Sequence, residues 1–133
     1  KPRCNSHEYF NGILAGKSKG VFAGRILVRP DAQKTDAAQD FKGLLLEAGA
    51  SANAVPQLEI FADDVKCAHG ATVGQLDATA LFYLRTRGVP EAEALALLTR
   101  AFYAEALANI EEDALRETLK AFLPARLVQD GVA

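Results

Sequence analysis

Two periods of apolar residues divide the chain near Leu76. Upstream, short apolar or alternating runs recur between turn residues, a pattern that predicts strands at about His7–Leu14, Val21–Val28, Ala37–Glu47, Gln57–Phe61 and Val65–Ala71. The breaks fall at Ala15-Gly16, Lys19-Gly20, Pro30-Asp31, Ala48-Gly49 and Asp63-Asp64, residues that suit turns. Asn11-Gly12 lies inside a run instead of between two, so no two-residue hairpin signal stands out. The spacing fits an all-β stack without separating a meander of hairpins from a solenoid.

Beyond Leu76 the period becomes helical. Asp77 sits where an N-cap belongs, Leu76, Ala80, Leu81 and Leu84 share a face, and Gly88 follows as a stop after Arg85 and Arg87. Pro90 opens a second helix with Glu91 and Glu93 in its first turn, and Leu95, Leu98, Phe102, Ala106 and Ile110 form its stripe. A third helix is expected from about Glu112 to Phe122, carrying Leu115, Leu119 and Phe122 and ending before Pro124. The tail 126–133 is expected to be disordered. Strands followed by helices, without alternation, argue against a doubly wound sheet. The expected division is a β unit at 1–75 and a helical unit at 76–125.

Composition narrows the function classes. The chain has 133 residues, 50% apolar and 24% charged with a formal net charge of −2, room for one ordinary domain or a piece of a larger one. That balance lacks the basic surplus of a nucleic-acid binder, and no apolar run is long enough to cross a bilayer. The opening Lys1-Pro2-Arg3-Cys4-Asn5 has no hydrophobic core of a signal peptide. Without a Met anywhere, position 1 is expected to be an internal point of a longer polypeptide. Two cysteines, Cys4 and Cys67, are too few for a disulfide framework, and free thiols in a reducing cytoplasm are the simpler expectation.

Few segments offer chemistry. Gly12 to Ser18 looks like a phosphate loop, but only three residues separate Gly12 from Gly16 where four are needed, and a strand is expected next in place of a helix. Val65 to Thr72 is more informative. In an extended chain Cys67 and His69 share a face, and a thiolate beside an imidazole can bind a soft or borderline metal or pair as nucleophile and base. Two donors make an incomplete metal site, and a buried Cys beside a backbone-bonded His is the structural alternative. Asp63-Asp64 is expected to make local turn bonds. Arg85 and Arg87 could anchor a partner's carboxylates or simply end a helix. Leu81-Phe82-Tyr83-Leu84 is apolar around most of its circumference, which asks for cover on more than one side and hints at a docking surface.

Three long strings carry a resemblance: Val21 to Asp36, Pro56 to Gly74, and Leu81 to Gly88. They resemble the SufB/SufD family of the SUF iron–sulfur cluster assembly system, over a stretch from about Cys4 to Gly88. Within that family, SufB-type chains carry His-Glu where this chain has His69-Gly70, and an assembly cysteine at the position matched by Phe41. The string Lys66 to Thr72 is similar to the SufD-type branch. The resemblance implies a right-handed parallel β-helix, here its C-terminal part, followed by a small helical domain. It implies pairing with a SufB-type subunit, docking of a SufC-type ABC ATPase on the helices, and no catalysis by the chain itself. His69 and Cys67 would then complete a metal site begun by the SufB-type subunit, holding iron or a nascent iron–sulfur cluster only at that interface. Leu81, Phe82, Tyr83, Arg85 and Arg87 would meet the ATPase. Without its partner the chain is expected to self-associate. The competing expectations are a small metal-dependent enzyme using Cys67 and His69, and a purely structural solenoid dimerising through its strand edges.

Overall fold

The computed structural model describes residues 1–122 and contains eight elements: β1 (Asn5–Leu14), β2 (Lys19–Val28), β3 (Asp36–Leu45), β4 (Ser51–Ile60), β5 (Lys66–Gln75), α1 (Ala78–Thr86), α2 (Glu91–Leu107) and α3 (Asp113–Phe122). They fall into two compact units, Lys1–Gln75 and Leu76–Ala133. The tail expected at 126–133 lies outside the described residues.

All strand pairings are parallel. β1, β3 and β5 form one sheet in that order, and β2 and β4 form another. This corrects the expected right-handed parallel β-helix: five strands lie in two open sheets, and no closed or solenoid sheet runs through the described residues. Hydrophobic periodicity reports which face of a strand is buried, not how successive strands are joined. The second sheet has two strands, short of the three stacked repeats that a solenoid needs for stability.

Strand alternation sets the core. On β2 the even positions Gly20 to Val28 turn inward, and on β3 Ala37, Gln39, Phe41 and Gly43 do so. Phe41 stacks on Phe22 of the other sheet at 4.8 Å between ring centroids, and Phe22 meets Phe10 at the same distance. This aromatic trio ties the two sheets together. β4 begins six residues before the Gln57 start expected from its apolar run and includes Pro56, paired in register with Gly24. A proline fits there because β4 is an edge strand, where a missing N–H has an open side to face. The turns at Gly16 and Gly49 approach so closely that a Cβ on Gly49 would fall 2.7 Å from the Gly16 carbonyl oxygen, and Gly16 itself has a φ of 61°. Only glycine fits both conditions.

The helical unit obeys its local signals. Asp77 accepts from the Thr79 N–H at 2.8 Å, and Gly88, at φ 86°, donates to the Arg85 carbonyl at 3.0 Å. Pro90 is the N-cap of α2 and not its first helical residue. The most buried positions of α2 are Ala94, Thr99, Tyr103 and Leu107, rotated from the expected stripe, whose residues Leu95, Leu98, Phe102 and Ala106 are half-buried. In α3, Leu115 is exposed and Leu119 half-buried.

Candidate site on the edge strand

β5 is the terminal strand of the three-stranded sheet, and the strand pleat puts Cys67 and His69 on one face, about 6.6 Å apart along the chain. Cys67 is half-buried and His69 is exposed. The register continues each of them across the sheet: Cys67 aligns with Ala37 and Ser6, and His69 aligns with Gln39 and Glu8. This face is the one that carries Phe41 and Ala37 toward the second sheet, and the row Glu8–Gln39–His69 is a polar line laid across it.

Gln39 anchors that line. It is 2% exposed, and its Nε2 donates to Glu8 Oε2 at 3.0 Å. Its Oε1 is buried without a hydrogen-bond partner. The amide lies against Gly24 of the second sheet, where a Cβ would fall 2.3 Å from Oε1. Sequence reasoning passed over Gln39, Glu8 and Gly24. The signal was present, since Gln39 is a polar residue at the inward phase of an alternating strand, but its neighbours on β1 and β5 are about thirty residues away and invisible to local pattern.

On the opposite face of β5, Gly70 leaves room for Asp40, whose Oδ1 would lie 2.4 Å from a Cβ at position 70. Phe41 is buried, with its ring stacked on Phe22. Cys4 is exposed, donates to the Lys1 carbonyl at 3.2 Å and is not joined to Cys67. Among the described residues, no group of three or more His, Cys, Asp and Glu side chains gathers with metal-holding geometry. Cys67 and His69 therefore provide two donors, where a zinc or iron centre takes three or four from its surroundings.

The remaining sequence candidates resolve simply. The Gly12–Ser18 segment is strand and turn leading into β2, without a helix N-terminus to receive a phosphate. Asp64 sits in a turn, paired with Lys34 and receiving the Lys34 N–H on its carbonyl, and its own N–H donates to Gln33 Oε1 at 2.9 Å. On α1, Leu81 is half-buried while Phe82 and Tyr83 are 68% and 57% exposed. Arg87 donates to the Tyr83 hydroxyl at 2.9 Å and lies 5.1 Å from the centre of that ring, and Arg85 pairs with Glu91 at 3.1 Å. Those contacts fix the Tyr83 ring and two guanidinium groups on one short helix and its cap, while Phe82 stands exposed on the same helix. No helix among the described residues is long and apolar enough to cross a membrane.

Comparison with known proteins gives these features a context. Residues 1–102 match the family described as "SUF system FeS cluster assembly, SufBD core domain". The chain is similar to the iron–sulfur cluster assembly protein SufD of Escherichia coli strain K12, at 40% identity over 124 residues, covering 93% of this chain and 29% of that protein. A SufBD family protein of Synechocystis is 41% identical over 127 residues, covering 96% of this chain and 28% of its own length. A SufBD family protein of Mycobacterium tuberculosis strain H37Rv is 37% identical over 134 residues, covering 95% and 34% respectively. The chain thus spans about a third or less of the length of these relatives.

Proposed function

Because the chain belongs to the SufBD core family of the SUF iron–sulfur cluster assembly system, we propose that it serves as a non-catalytic scaffold subunit in cluster assembly. In this reading a SufB-type subunit meets the edge of the sheet at β5, and His69, with Cys67 beside it, contributes donors to iron or a nascent cluster that the partner also holds. The carrying observation is that the two donors share one face of an edge strand with His69 exposed, while the described residues add no third donor. Imidazole is a borderline base suited to Fe(II), and a thiolate suits the cluster itself. The cluster is cargo passed onward, so two donors from this side suffice if thiolate and carboxylate come from the other.

The helical unit, taken as 76–125, would dock a SufC-type ATPase through Leu81, Phe82, Tyr83, Arg85 and Arg87. Exposed aromatic rings with adjacent guanidinium groups are the side chains that most often anchor protein interfaces. ATP hydrolysis would belong to that partner. The chain would act in the cytoplasm, and in the absence of the SufB-type subunit its open sheet edges would pair two copies of the chain.

Co-purification with SufB-type and SufC-type subunits tests the reading. His69→Ala should leave the complex assembled and lower its iron content, whereas Ala at Leu81 and Tyr83 should weaken retention of the ATPase. A complex that captures iron equally well with His69→Ala would overturn the donor assignment.

A further inference from the structure

We propose that Gln39 is a positioning residue for His69: its buried amide oxygen accepts a hydrogen bond from one imidazole N–H, which leaves the other ring nitrogen with its lone pair free for a metal. The metal-binding purpose rests on the reading of His69 as a donor; the buried, unpartnered Gln39 oxygen one register place away does not.

Gln39 is 2% exposed, and the orientation of its amide is dictated from one side. Glu8 carries a carboxylate, which as an anion can only accept, so the Gln39 Nε2 must face it and does so at 3.0 Å. Oε1 is thereby turned away from Glu8, buried and without a partner. The side chain has little freedom to relieve this, because its amide presses on Gly24, where a Cβ would come within 2.5 Å of both Cδ and Nε2. Buried acceptors are rarely left unpaired. Along the row, the register neighbour on the side away from Glu8 is His69, on a strand about 4.8 Å away. An imidazole N–H is the donor that this row supplies. A ring nitrogen that donates to a fixed acceptor sets the tautomer and presents the other nitrogen as a ligand, the arrangement found behind most metal-binding histidines. Glu8, on the far side of Gln39, polarises the amide and strengthens its oxygen as an acceptor.

Long-range proton–nitrogen NMR spectra of the labelled full chain, recorded at about pH 8 where an ordinary imidazole is neutral, read the tautomer directly. The wild type should show one protonated and one bare nitrogen at His69, with well-separated shifts. Gln39→Leu should move the two toward a common averaged position while His7, which faces Asp36 at 3.2 Å, stays unchanged. The exchange variant Glu8→Gln/Gln39→Glu keeps a donor against an acceptor and leaves a carboxylate oxygen facing His69, so the separation should return. Should Gln39→Leu fail to fold, Gly24→Ala displaces the amide without removing it and should produce the same averaging. A wild-type His69 already averaged between tautomers, or one indifferent to Gln39→Leu and Gly24→Ala, overturns the assignment. Iron capture separates the two claims. If His69→Ala loses iron but the tautomer ignores Gln39, positioning fails and the donor reading stands. If the tautomer responds but iron capture does not need His69, the reverse holds.

Discussion

His69 lies exposed on an edge strand, yet the acceptor proposed for its ring N–H, Gln39 Oε1, is buried. His69→Ala should lower unfolding free energy by about 1 kcal/mol or more, because it removes the donor proposed for the buried Gln39 Oε1, while reducing iron in the complex; urea titration and metal analysis check the two halves. Gly24 is the converse case. It is a small residue without chemistry of its own, yet a methyl group there would meet the Gln39 amide oxygen at 2.3 Å. Gly24→Ala should cost about 1–3 kcal/mol by overpacking, seen as a lower urea midpoint at unchanged slope. Asp77 is a third kind of residue, one whose role is local and readable from sequence. Its carboxylate caps α1 through the Thr79 N–H, so Asp77→Ala should cost about 1 kcal/mol, with the loss confined to the helical unit in hydrogen-exchange measurements.

At the scale of elements, the β unit depends on a few side chains that cross from sheet to sheet. No large side chain among the described residues is fully buried, and the core includes small residues such as Ala37, Ala50 and Ala62. Phe41, stacked on Phe22, carries a disproportionate share of that contact. Phe41→Ala should destabilise the β unit by about 3–5 kcal/mol, measured by chemical denaturation, and a cysteine at that position would forfeit much of the same packing. The strands themselves were partly legible. Their apolar runs located all five, but β4 starts at Ser51, where ladder pairing with β2 extends it through Ser51-Ala52-Asn53-Ala54, whose alternation rests on small residues that give a weak apolar signal. Likewise the deepest face of α2 is rotated from its apolar stripe. Thr99 and Tyr103 are buried there because neighbouring helices, not hydropathy alone, decide which side is covered.

For the molecule as a whole, each unit leaves large apolar side chains uncovered: Val21 and Phe61 in the β unit, Phe82 in the helical unit. Exposed side chains of this kind are where the docking proposed for the helical unit is tested: Phe82 and Tyr83 share a short helix with Arg85, and Arg87 lies over the Tyr83 ring. Replacing both rings with Ala should weaken binding of the SufC-type ATPase by about tenfold or more, or about 1.4 kcal/mol. Calorimetric titration would give the affinity and far-ultraviolet dichroism the retained helix. An unchanged affinity would move the docking surface elsewhere.

The sequence by itself determined the order of strands and helices, the caps of α1, the family, and the pairing of Cys67 with His69 on one face, because each of these depends on residues close together in the chain or on long matching strings. Only the tertiary structure decided that the strands lie in two open parallel sheets, that Phe41 is stacked and buried, and that Glu8, Gln39 and His69 form one row with Gly24 pressed against it. Those facts are set by which strands become neighbours, and parallel pairing joins residues some thirty positions apart, beyond the reach of any local period.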